Sequence, residues 1–282
     1  GKMIGIIILN YNSYSLVLKL LNNLKNIVGI SKIIIVDNNS TDNSVEELRK
    51  EANENVILIE NKENRGYAAG NNIGIKYLIN IFLNIEYMCI LNPDIEIENE
   101  NIFIELVKEL NRNNKLGIIS PLMKMNGVIN KKLISWKAPE KFDDIFNCLG
   151  ITKKIKDNLS IDKDKNVIPG SFLFFSKETI QKINYLDEET FLYYEENILA
   201  QKLKRIGKVM KVITTIEYNH IHFVERNNIK RKLFHNKIYF ESMIYYEKKY
   251  NEKYSKINIP IIRVLYYFRI LEMYIFYFCR GN

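Results

Sequence analysis

Cysteine, proline, glycine and tryptophan are scarce in this chain of 282 residues, which contains 3, 5, 12 and 1 of them respectively. The cysteine count is odd, and Cys89, Cys148 and Cys279 lack the spacing of metal ligands, which argues against a disulfide framework and against a zinc cluster. A reducing, cytoplasmic setting fits this pattern. Hydrophobic residues make up 47% of the chain, which predicts a sizeable core rather than disorder.

Long uncharged hydrophobic runs are also missing. The most apolar segment, residues 261–279, carries Arg263, Arg269 and Glu272, which argues against a membrane-spanning helix. The alternatives for this segment are packing against the body of the protein, a dimer contact, or an amphipathic helix that lies on an anionic membrane. In the last case the protein would work at the inner face of the cell membrane.

Negative charge is rare towards the C-terminal end. Residues 199–282 hold 17 Lys and Arg but only 6 Asp and Glu, whereas residues 1–198 hold 24 and 27. This imbalance predicts contact with an anionic partner, with a solvated basic surface as the alternative. Lys, Arg and Tyr interleave there as they do in nucleic-acid-binding proteins. The aromatic spacing also suits helix packing, so no nucleic-acid partner is expected.

Strand and helix patterns alternate along the first third of the chain. Continuous aliphatic runs predict buried strands at residues 4–9, 32–36, 56–59 and 87–91. Helical spacing predicts helices at residues 16–24, from Ser44, and at residues 70–83. Such alternation is typical of a parallel sheet with helical crossovers, which binds ligands beyond the carboxyl ends of its strands.

The remainder of the chain is less regular in pattern. Residues 126–164 are predicted to be irregular, and order returns at residues 167–176. Helices are predicted from Lys177, at residues 196–206, and in the tail from Lys230.

Polar clusters follow three of the predicted strands. They are Asn10-Tyr11-Asn12, Asp37-Asn38-Asn39-Ser40 and Asn92-Pro93-Asp94. One such cluster is ordinary turn chemistry. Three of them at the same edge of a sheet predict a binding site.

These segments together resemble the glycosyltransferases of family 2, most closely their rhamnosyltransferase-like branch. The resemblance rests on residues 33–44 (IIIVDNNSTDNS), 64–74 (NRGYAAGNNIG), 91–94 (LNPD), 169–175 (PGSFLFF) and 186–197 (LDEETFLYYEEN), within residues 4–250. It implies an α/β fold of the GT-A type, with a mostly parallel twisted sheet flanked by helices and a helical C-terminal appendage. The implied domain covers residues 3–229, with a nucleotide-binding half at 3–115 and an acceptor and catalytic half at 116–229, followed by a basic, aromatic helical region at 230–282.

The resemblance implies a nucleotide-sugar donor. Asp37 would accept a hydrogen bond from a pyrimidine ring N–H; since a carboxylate only accepts, it matches uracil or thymine and not cytosine. Amide groups and glycines near a helix start would approach the phosphates. The expected nucleotide-binding residues are Asn10, Asn12, Asp37, Asn38, Asn64, Gly66, Asn71 and Asn92. The expected donor is a UDP- or dTDP-sugar, with dTDP-L-rhamnose favoured by Asn-Pro-Asp.

The resemblance also implies a divalent cation, Mn²⁺ or Mg²⁺. Asp94 is the expected ligand, as the last acid of a DXD-like motif, although Asn92 stands where relatives have a first acid and is a weaker ligand. His220 is a second expected ligand, and His222 matches less well. The cation would neutralise the departing diphosphate.

For catalysis the resemblance implies Glu195 and Glu196, with Glu196 as the general base in a single displacement that inverts the anomeric carbon. Gly170 and Ser171 would form a wall of the sugar pocket. Asp187 and Glu188 would contact the acceptor or brace its loop. The acceptor class stays open between a glycan, a lipid-linked glycan and a protein, as does the oligomeric state. Ile198 departs from the pattern, since relatives show an acid there.

Structural roles and rival functions remain alternatives. Turn formation would explain Asp37 and Asn92-Pro93-Asp94, helix capping would explain the glutamates, and core packing the histidines. An oxidoreductase would need Gly-x-Gly-x-x-Gly after the first strand, which is lacking. A nucleotidyltransferase would need a glycine-rich basic loop, also lacking. A degenerate transferase that only binds nucleotide or glycan is the remaining alternative.

Overall fold

The computed structural model describes residues 3–130, 134–151, 166–221 and 228–279. Its strands are β1 (Met3–Asn10), β2 (Ile30–Asp37), β3 (Val56–Glu60), β4 (Ile85–Leu91), β5 (Ile95–Glu96), β6 (Leu116–Met125), β7 (Phe172–Ser176) and β8 (Val209–His220). Its helices are α1 (Tyr14–Leu24), α2 (Ser44–Arg49), α3 (Tyr67–Ile81), α4 (Ile102–Arg112), α5 (Asp143–Cys148), α6 (Lys177–Lys182), α7 (Glu195–Arg205), α8 (Ile229–Tyr250) and α9 (Glu252–Cys279).

The described strands form one mixed sheet in the order β3-β2-β1-β4-β7-β6-β8-β5. Strands β1 to β4 are parallel, which confirms the alternating pattern of the sequence. β7 enters between β4 and β6 and runs antiparallel to both, while β6 and β8 are parallel to each other. β5 closes the far edge by pairing antiparallel with the end of β8. The carboxyl ends of β1, β2, β4 and β8 thus bring distant parts of the chain together.

Both faces of the sheet are covered, as the continuous aliphatic strands predict. One face packs α1 and α4 through a core that includes Leu20, Phe103 and Leu106, and stacks the rings of Tyr87 and Phe174. The other face packs α3, α6 and α7 through a second core that includes Leu78 and Leu203. Because the two cores pack against opposite faces of the sheet, both of them support the edge that carries the polar clusters.

The C-terminal helices pack against the start of α7 and close a third cluster of buried side chains. Tyr246 is fully buried there, beside Tyr194, Ile198, Met243 and Ile262. Ile198, the departure from the family pattern, is therefore a core residue of this contact. The proposed division at residue 230 remains a prediction.

One segment differs from the sequence prediction, and one predicted site residue lies outside the described residues. The segment 126–164, expected to be irregular, contains the short helix α5. Among the described residues, no helix is both long and apolar enough to cross a membrane. His222 lies outside the described residues.

Candidate active site

The ends of β1 and β2 form a buried hydrogen-bonded unit. Asn10 and Asp37 lie opposite each other in the parallel register, and Asn10 Nδ2 donates to Asp37 Oδ1 at 2.8 Å. The hydroxyl and backbone N–H of Ser40 donate to the two oxygens of Asp37 at 2.6 and 2.9 Å. Since a carboxylate has about four lone-pair sites, one site on Asp37 Oδ2 remains for a ligand.

The loop after β1 folds over the loop after β2. Asn12 has a left-handed backbone, with φ of 52°, which asparagine tolerates. Its Oδ1 accepts from the backbone N–H of Thr41 at 2.8 Å. The predicted base-pocket residues Asn10, Asn12 and Asp37 are therefore brought together at one edge of the sheet.

The start of α3 is held close to β2 by side-chain amides. Asn38 is buried and its Nδ2 donates to Asn64 Oδ1 at 2.8 Å and to the Gly66 carbonyl at 3.1 Å. Gly66 has φ of 91°, and a Cβ there would lie 2.1 Å from the Phe191 carbonyl oxygen. Only glycine fits this position, because both the backbone conformation and the close approach exclude a side chain.

Asn71 lies in the first turns of α3 and is fully buried. Its Nδ2 donates to the Tyr67 carbonyl at 3.0 Å, while its Oδ1 has no partner among the described residues. Asn92 follows β4, and its backbone N–H donates to the Ser171 carbonyl at 2.9 Å. This bond joins the donor half of the chain to the Gly170-Ser171 segment.

Asp94 and His220 meet across the β5–β8 pairing. His220 lies opposite Ile95 in the antiparallel register, and Ile221 N–H donates to the Asp94 carbonyl at 2.8 Å. His220 Nε2 lies 3.1 Å from Asp94 Oδ2. The two residues that the sequence predicts as cation ligands are separated by 126 positions and become neighbours.

Glu195 and Glu196 open α7 and are both withdrawn from solvent. Glu195 is 7% exposed. Glu196 Oε1 accepts from the Gly170 N–H at 3.2 Å, and a Cβ at Gly170 would lie 2.6 Å from that oxygen. Gly170 therefore gives the Glu196 carboxylate room beside the segment that also contacts Asn92.

Burial raises the pKa of both glutamates. Burial, and then the charge of Glu196, raise the pKa of Glu195 to about 8. Burial also raises the pKa of Glu196, against hydrogen bonds from backbone N–H groups that include Gly170. A pKa of about 8 favours the neutral form of Glu195 at neutral pH, and a neutral Glu195 would leave Glu196 without a second negative charge beside it.

The raised pKa of Glu195 should be measurable as a pH dependence of stability. Between pH 5 and pH 8 the unfolded chain loses this proton while the folded protein keeps it, so the free energy of unfolding falls as pH rises. We expect Glu195→Gln to gain stability relative to wild type as pH rises over this window, by urea unfolding at both pH values. Glu54→Gln, at an exposed position, is the control; equal slopes for all three proteins would refute the assignment.

Two tyrosines of the site were not assigned from the sequence. Tyr67 Oη donates to the Gly170 carbonyl at 2.8 Å, and Tyr218 Oη lies 2.6 Å from Ser171 Oγ. Tyr67 stands inside the 64–74 segment that carried the resemblance. Tyr218 precedes His220 by two residues in β8, so strand alternation places both on one face and could have identified it.

The turn before α7 is held in an unfavourable conformation by α8. Tyr193 and Tyr194 have φ of 73° and 68°, the left-handed region that costs bulky residues about 1–2 kcal/mol each. Ser242 Oγ donates to the Leu192 carbonyl at 2.7 Å, and Tyr194 Oη donates to the buried Asp144 at 2.7 Å. The C-terminal helices therefore set the position from which Glu195 and Glu196 enter the site.

Asp187 and Glu188 tie their loop to two helices. Asp187 accepts from the hydroxyls of Tyr245 and Tyr250 and pairs with Lys249, all in α8. Burial opposes ionisation of Asp187, but these hydrogen bonds outweigh it and lower its pKa. Glu188 Oε1 accepts from Asn72 Nδ2, in α3, at 2.8 Å. These contacts brace the loop; contact with an acceptor stays a prediction.

Residues 5–183 match the family model described as glycosyl transferase family 2. The chain belongs to glycosyl transferase family 2. The match covers β1 to β7 and so includes the edge where Asn10, Asp37 and Asp94 lie. Family 2 membership agrees with the resemblance found in the sequence.

Known proteins share sequence and fold with this family 2 chain. It is 29% identical over 204 residues to the low-salt glycan biosynthesis hexosyltransferase Agl10 of Haloferax volcanii, covering 72% of this chain and 62% of that protein. The chain thus spans less than two thirds of that relative.

The fold resembles that of a mannosyltransferase of Pyrobaculum calidifontis, which was solved with GDP-Man and Mn²⁺. The TM-score is 0.62 at 14% sequence identity, and the match covers 93% of this chain and 73% of the mannosyltransferase. It also resembles GalNAc-T7, solved with UDP, GalNAc and Mn²⁺, at 0.62 and 13%, covering 79% and 44%. The expected GT-A-type fold is confirmed.

Buried polar atoms without a protein partner mark the site. Within the described residues these atoms include Asn10 Oδ1, Asn71 Oδ1, Asp94 Oδ1 and Glu195 Oε1. Ser44, Asp144, Thr190, Asn236 and Asn258 carry such atoms as well. Because buried polar atoms are normally hydrogen-bonded, the four at the positions predicted from the sequence are open to a ligand. Asp94 Oδ1, a free carboxylate oxygen beside an imidazole, is a donor that suits Mn²⁺ or Mg²⁺. No group of three or more acidic, His or Cys ligands is found in the described part of the chain, so the remaining ligands would come from the nucleotide and water.

Proposed function

We propose that this family 2 member is an inverting glycosyltransferase that uses a UDP- or dTDP-sugar and a divalent cation. The observation that carries the proposal is the 3.1 Å approach of Asp94 and His220, with Asp94 Oδ1 left without a hydrogen-bond partner among the described residues. The hydrogen bonds Asn92–Ser171 and Gly170–Glu196 link this pair to the glutamates of α7. The chain two residues before Asp94 and the candidate base thus both contact the Gly170-Ser171 segment, which supports one common site.

The donor would bind between the ends of β1, β2 and α3. Asp37 Oδ2 would accept the ring N–H of uracil or thymine, supported by its remaining lone pair and by the bonds from Asn10 and Ser40 that fix it. Asn71 Oδ1 and the first turn of α3 would lie towards the diphosphate side. dTDP-L-rhamnose is the favoured sugar nucleotide within this class, on the sequence Asn92-Pro93-Asp94.

Glu196 would remove the proton from the acceptor hydroxyl as that oxygen attacks the anomeric carbon. Its raised pKa suits this role, since a base with a pKa closer to the working pH takes a proton more effectively. A cation bound by Asp94 and His220 would stabilise the negative charge of the departing nucleoside diphosphate. One displacement inverts the anomeric configuration, with no covalent intermediate on the protein.

The acceptor would be a hydroxyl of a glycan, a lipid-linked glycan or a protein. The braced loop 186–190 and the Gly170-Ser171 wall would shape its entrance. A degenerate protein that only binds nucleotide is less favoured, because Glu196 and the Asp94–His220 pair are all present and connected.

Proton NMR of donor turnover tests this proposal. The protein is incubated with Mn²⁺ and, in turn, dTDP-L-rhamnose, UDP-glucose, UDP-galactose and GDP-mannose, with water as the acceptor of slow hydrolysis. We expect nucleoside diphosphate release from a UDP- or dTDP-sugar, and a first-formed free sugar of opposite anomeric configuration to the donor. A first-formed sugar of the same configuration would exclude inversion, and turnover of GDP-mannose alone would exclude the pyrimidine assignment.

A further inference from the structure

Helix α9 presents an unusually large apolar surface to solvent. Of the 25 exposed large hydrophobic residues described in the whole structure, ten lie in this one helix. Exposed hydrophobic residues scattered singly are normal, whereas a contiguous patch marks an interaction surface. The exposed part of α9 is therefore a candidate interaction surface.

Six of these ten residues form one continuous stripe along α9, with spacings of four and three residues. Its members, each 40–64% exposed, are Ile257, Ile261, Val264, Phe268, Leu271 and Ile275. The opposite face packs inward, with Asn258 and Ile262 fully buried. We call these six residues the α9 stripe.

The α9 stripe has aromatic rings at one border. Tyr267 and Tyr274 are exposed beside it and extend the apolar surface to roughly 140° of the circumference, at about 100° per residue. The six stripe residues alone have the 4-3 spacing of a coiled-coil seam, with two positions per heptad, and the two tyrosines widen the apolar surface beyond such a seam. Tyrosine, with an apolar ring and a polar hydroxyl, is enriched where a helix meets the headgroups of a membrane.

Basic side chains flank the stripe. Lys256 and Arg263 are exposed at the border that carries the tyrosines, and Arg269 is exposed at the other, where it pairs with Glu272 at 2.7 Å. Helix α8, packed against α9, contains six Lys and Arg against two Glu, although Lys237 and Lys249 pair with Glu241 and Asp187. A second copy would bring like charges together, whereas an anionic lipid surface complements them.

We propose that α9 docks this protein on an anionic lipid membrane, with the α9 stripe in the headgroup–acyl boundary and the flanking basic groups at the headgroups. The helix lies on the surface; no described helix is apolar enough to span the bilayer. Docking would place the protein beside a lipid-linked acceptor, but the surface itself depends neither on the donor nor on the reaction.

Vesicle co-sedimentation of the whole chain tests the docking. Vesicles of phosphatidylcholine with and without phosphatidylglycerol are compared at low and high salt. We expect binding to the anionic vesicles that weakens with salt, and little to the neutral ones. Phe268→Asp with Leu271→Asp should lower the affinity at least about tenfold, since two large side chains lose apolar burial.

The matched control is Ile81→Asp with Leu83→Asp, which changes two exposed hydrophobic residues elsewhere and should bind as wild type does. Donor hydrolysis should be unchanged in both double variants, which shows that they are folded and separates this test from the proposed reaction. Absence of vesicle binding would overturn the proposal, as would equal binding to neutral vesicles. A concentration-dependent dimer in sedimentation velocity that the α9 variant abolishes, without vesicle binding, would assign the stripe to a second copy instead.

Discussion

Glu196→Gln is expected to turn over its donor about 10²–10⁴-fold more slowly than wild type, the usual contribution of general base catalysis. The amide cannot take the acceptor proton, yet it is nearly isosteric and can still accept from the Gly170 N–H with its oxygen. The Michaelis constant for the donor should therefore change little. Steady-state kinetics on the donor that proves active measures both quantities.

Glu195→Gln is the matched comparison, because it makes the same change one residue earlier in the same helix. Glu195 is buried and already neutral at pH 7, so its amide should reduce the rate much less. The wild-type rate should also rise with pH through the raised pKa of Glu196, as the base ionises. A large loss in Glu195→Gln with near-native rate in Glu196→Gln would transfer the role to Glu195.

Asp94→Asn is expected to lower the rate about 10²-fold or more. A cation that neutralises the leaving diphosphate lowers the activation free energy by several kcal/mol, and the variant should lose much of this effect. The variant also lacks the carboxylate that would bind the cation beside His220. The Mn²⁺ concentration needed for half-maximal rate should rise steeply. A metal titration of the rate, together with nucleotide binding with and without Mn²⁺, measures both effects.

Asp42→Asn is the control for Asp94→Asn. Asp42 lies in the loop after β2, at the same edge of the sheet, and is exposed; its Oδ1 accepts from Ser44 N–H at 2.9 Å, which an asparagine oxygen can also do. We expect this variant to keep the wild-type metal dependence. If both variants behave alike, Asp94 is not a cation ligand.

The first half of the fold follows closely from the sequence. The aliphatic run at 4–9 predicts β1, which the structure extends by one residue at each end. A strand that is buried on both faces consists almost entirely of aliphatic residues, so such a run predicts the strand clearly. The helix predicted at 70–83 begins earlier, at Tyr67, because Gly66 supplies the left-handed turn that precedes it.

The second half depends on contacts that no local pattern encodes. No pattern in the sequence predicts β6 or β8 as strands, and the pairing between them shifts register after Pro121. Nor does any local signal give the reversed direction of β7, which is set by its pairing with β4. These pairings place His220 opposite Ile95 and so next to Asp94. The prediction that Asp94 and His220 bind a cation therefore comes from the family resemblance, because the periodicity of the sequence gives no sign of this contact.

The sequence motifs therefore identify the candidate residues, whereas only the fold shows which side chains surround them. The sequence alone left Asp37 open between a turn and a base contact, and the structure places it against Asn10 and Ser40. Asp187 offered no sign of its three partners in α8, which lie 58 to 63 residues away. Only the fold, which brings α8 to this loop, identifies Asp187 as a bracing residue.

Thermal unfolding with a panel of nucleotides tests the central claim most directly. UDP, dTDP, GDP, CDP and ADP are each added with and without Mn²⁺; a ligand at one hundred times its dissociation constant stabilises the fold by about 2.7 kcal/mol, a rise of several degrees in Tm. The account predicts a rise for UDP or dTDP that requires Mn²⁺ in wild type and is lost in Asp94→Asn. No rise with any nucleotide would contradict a nucleotide-sugar site at this edge of the sheet.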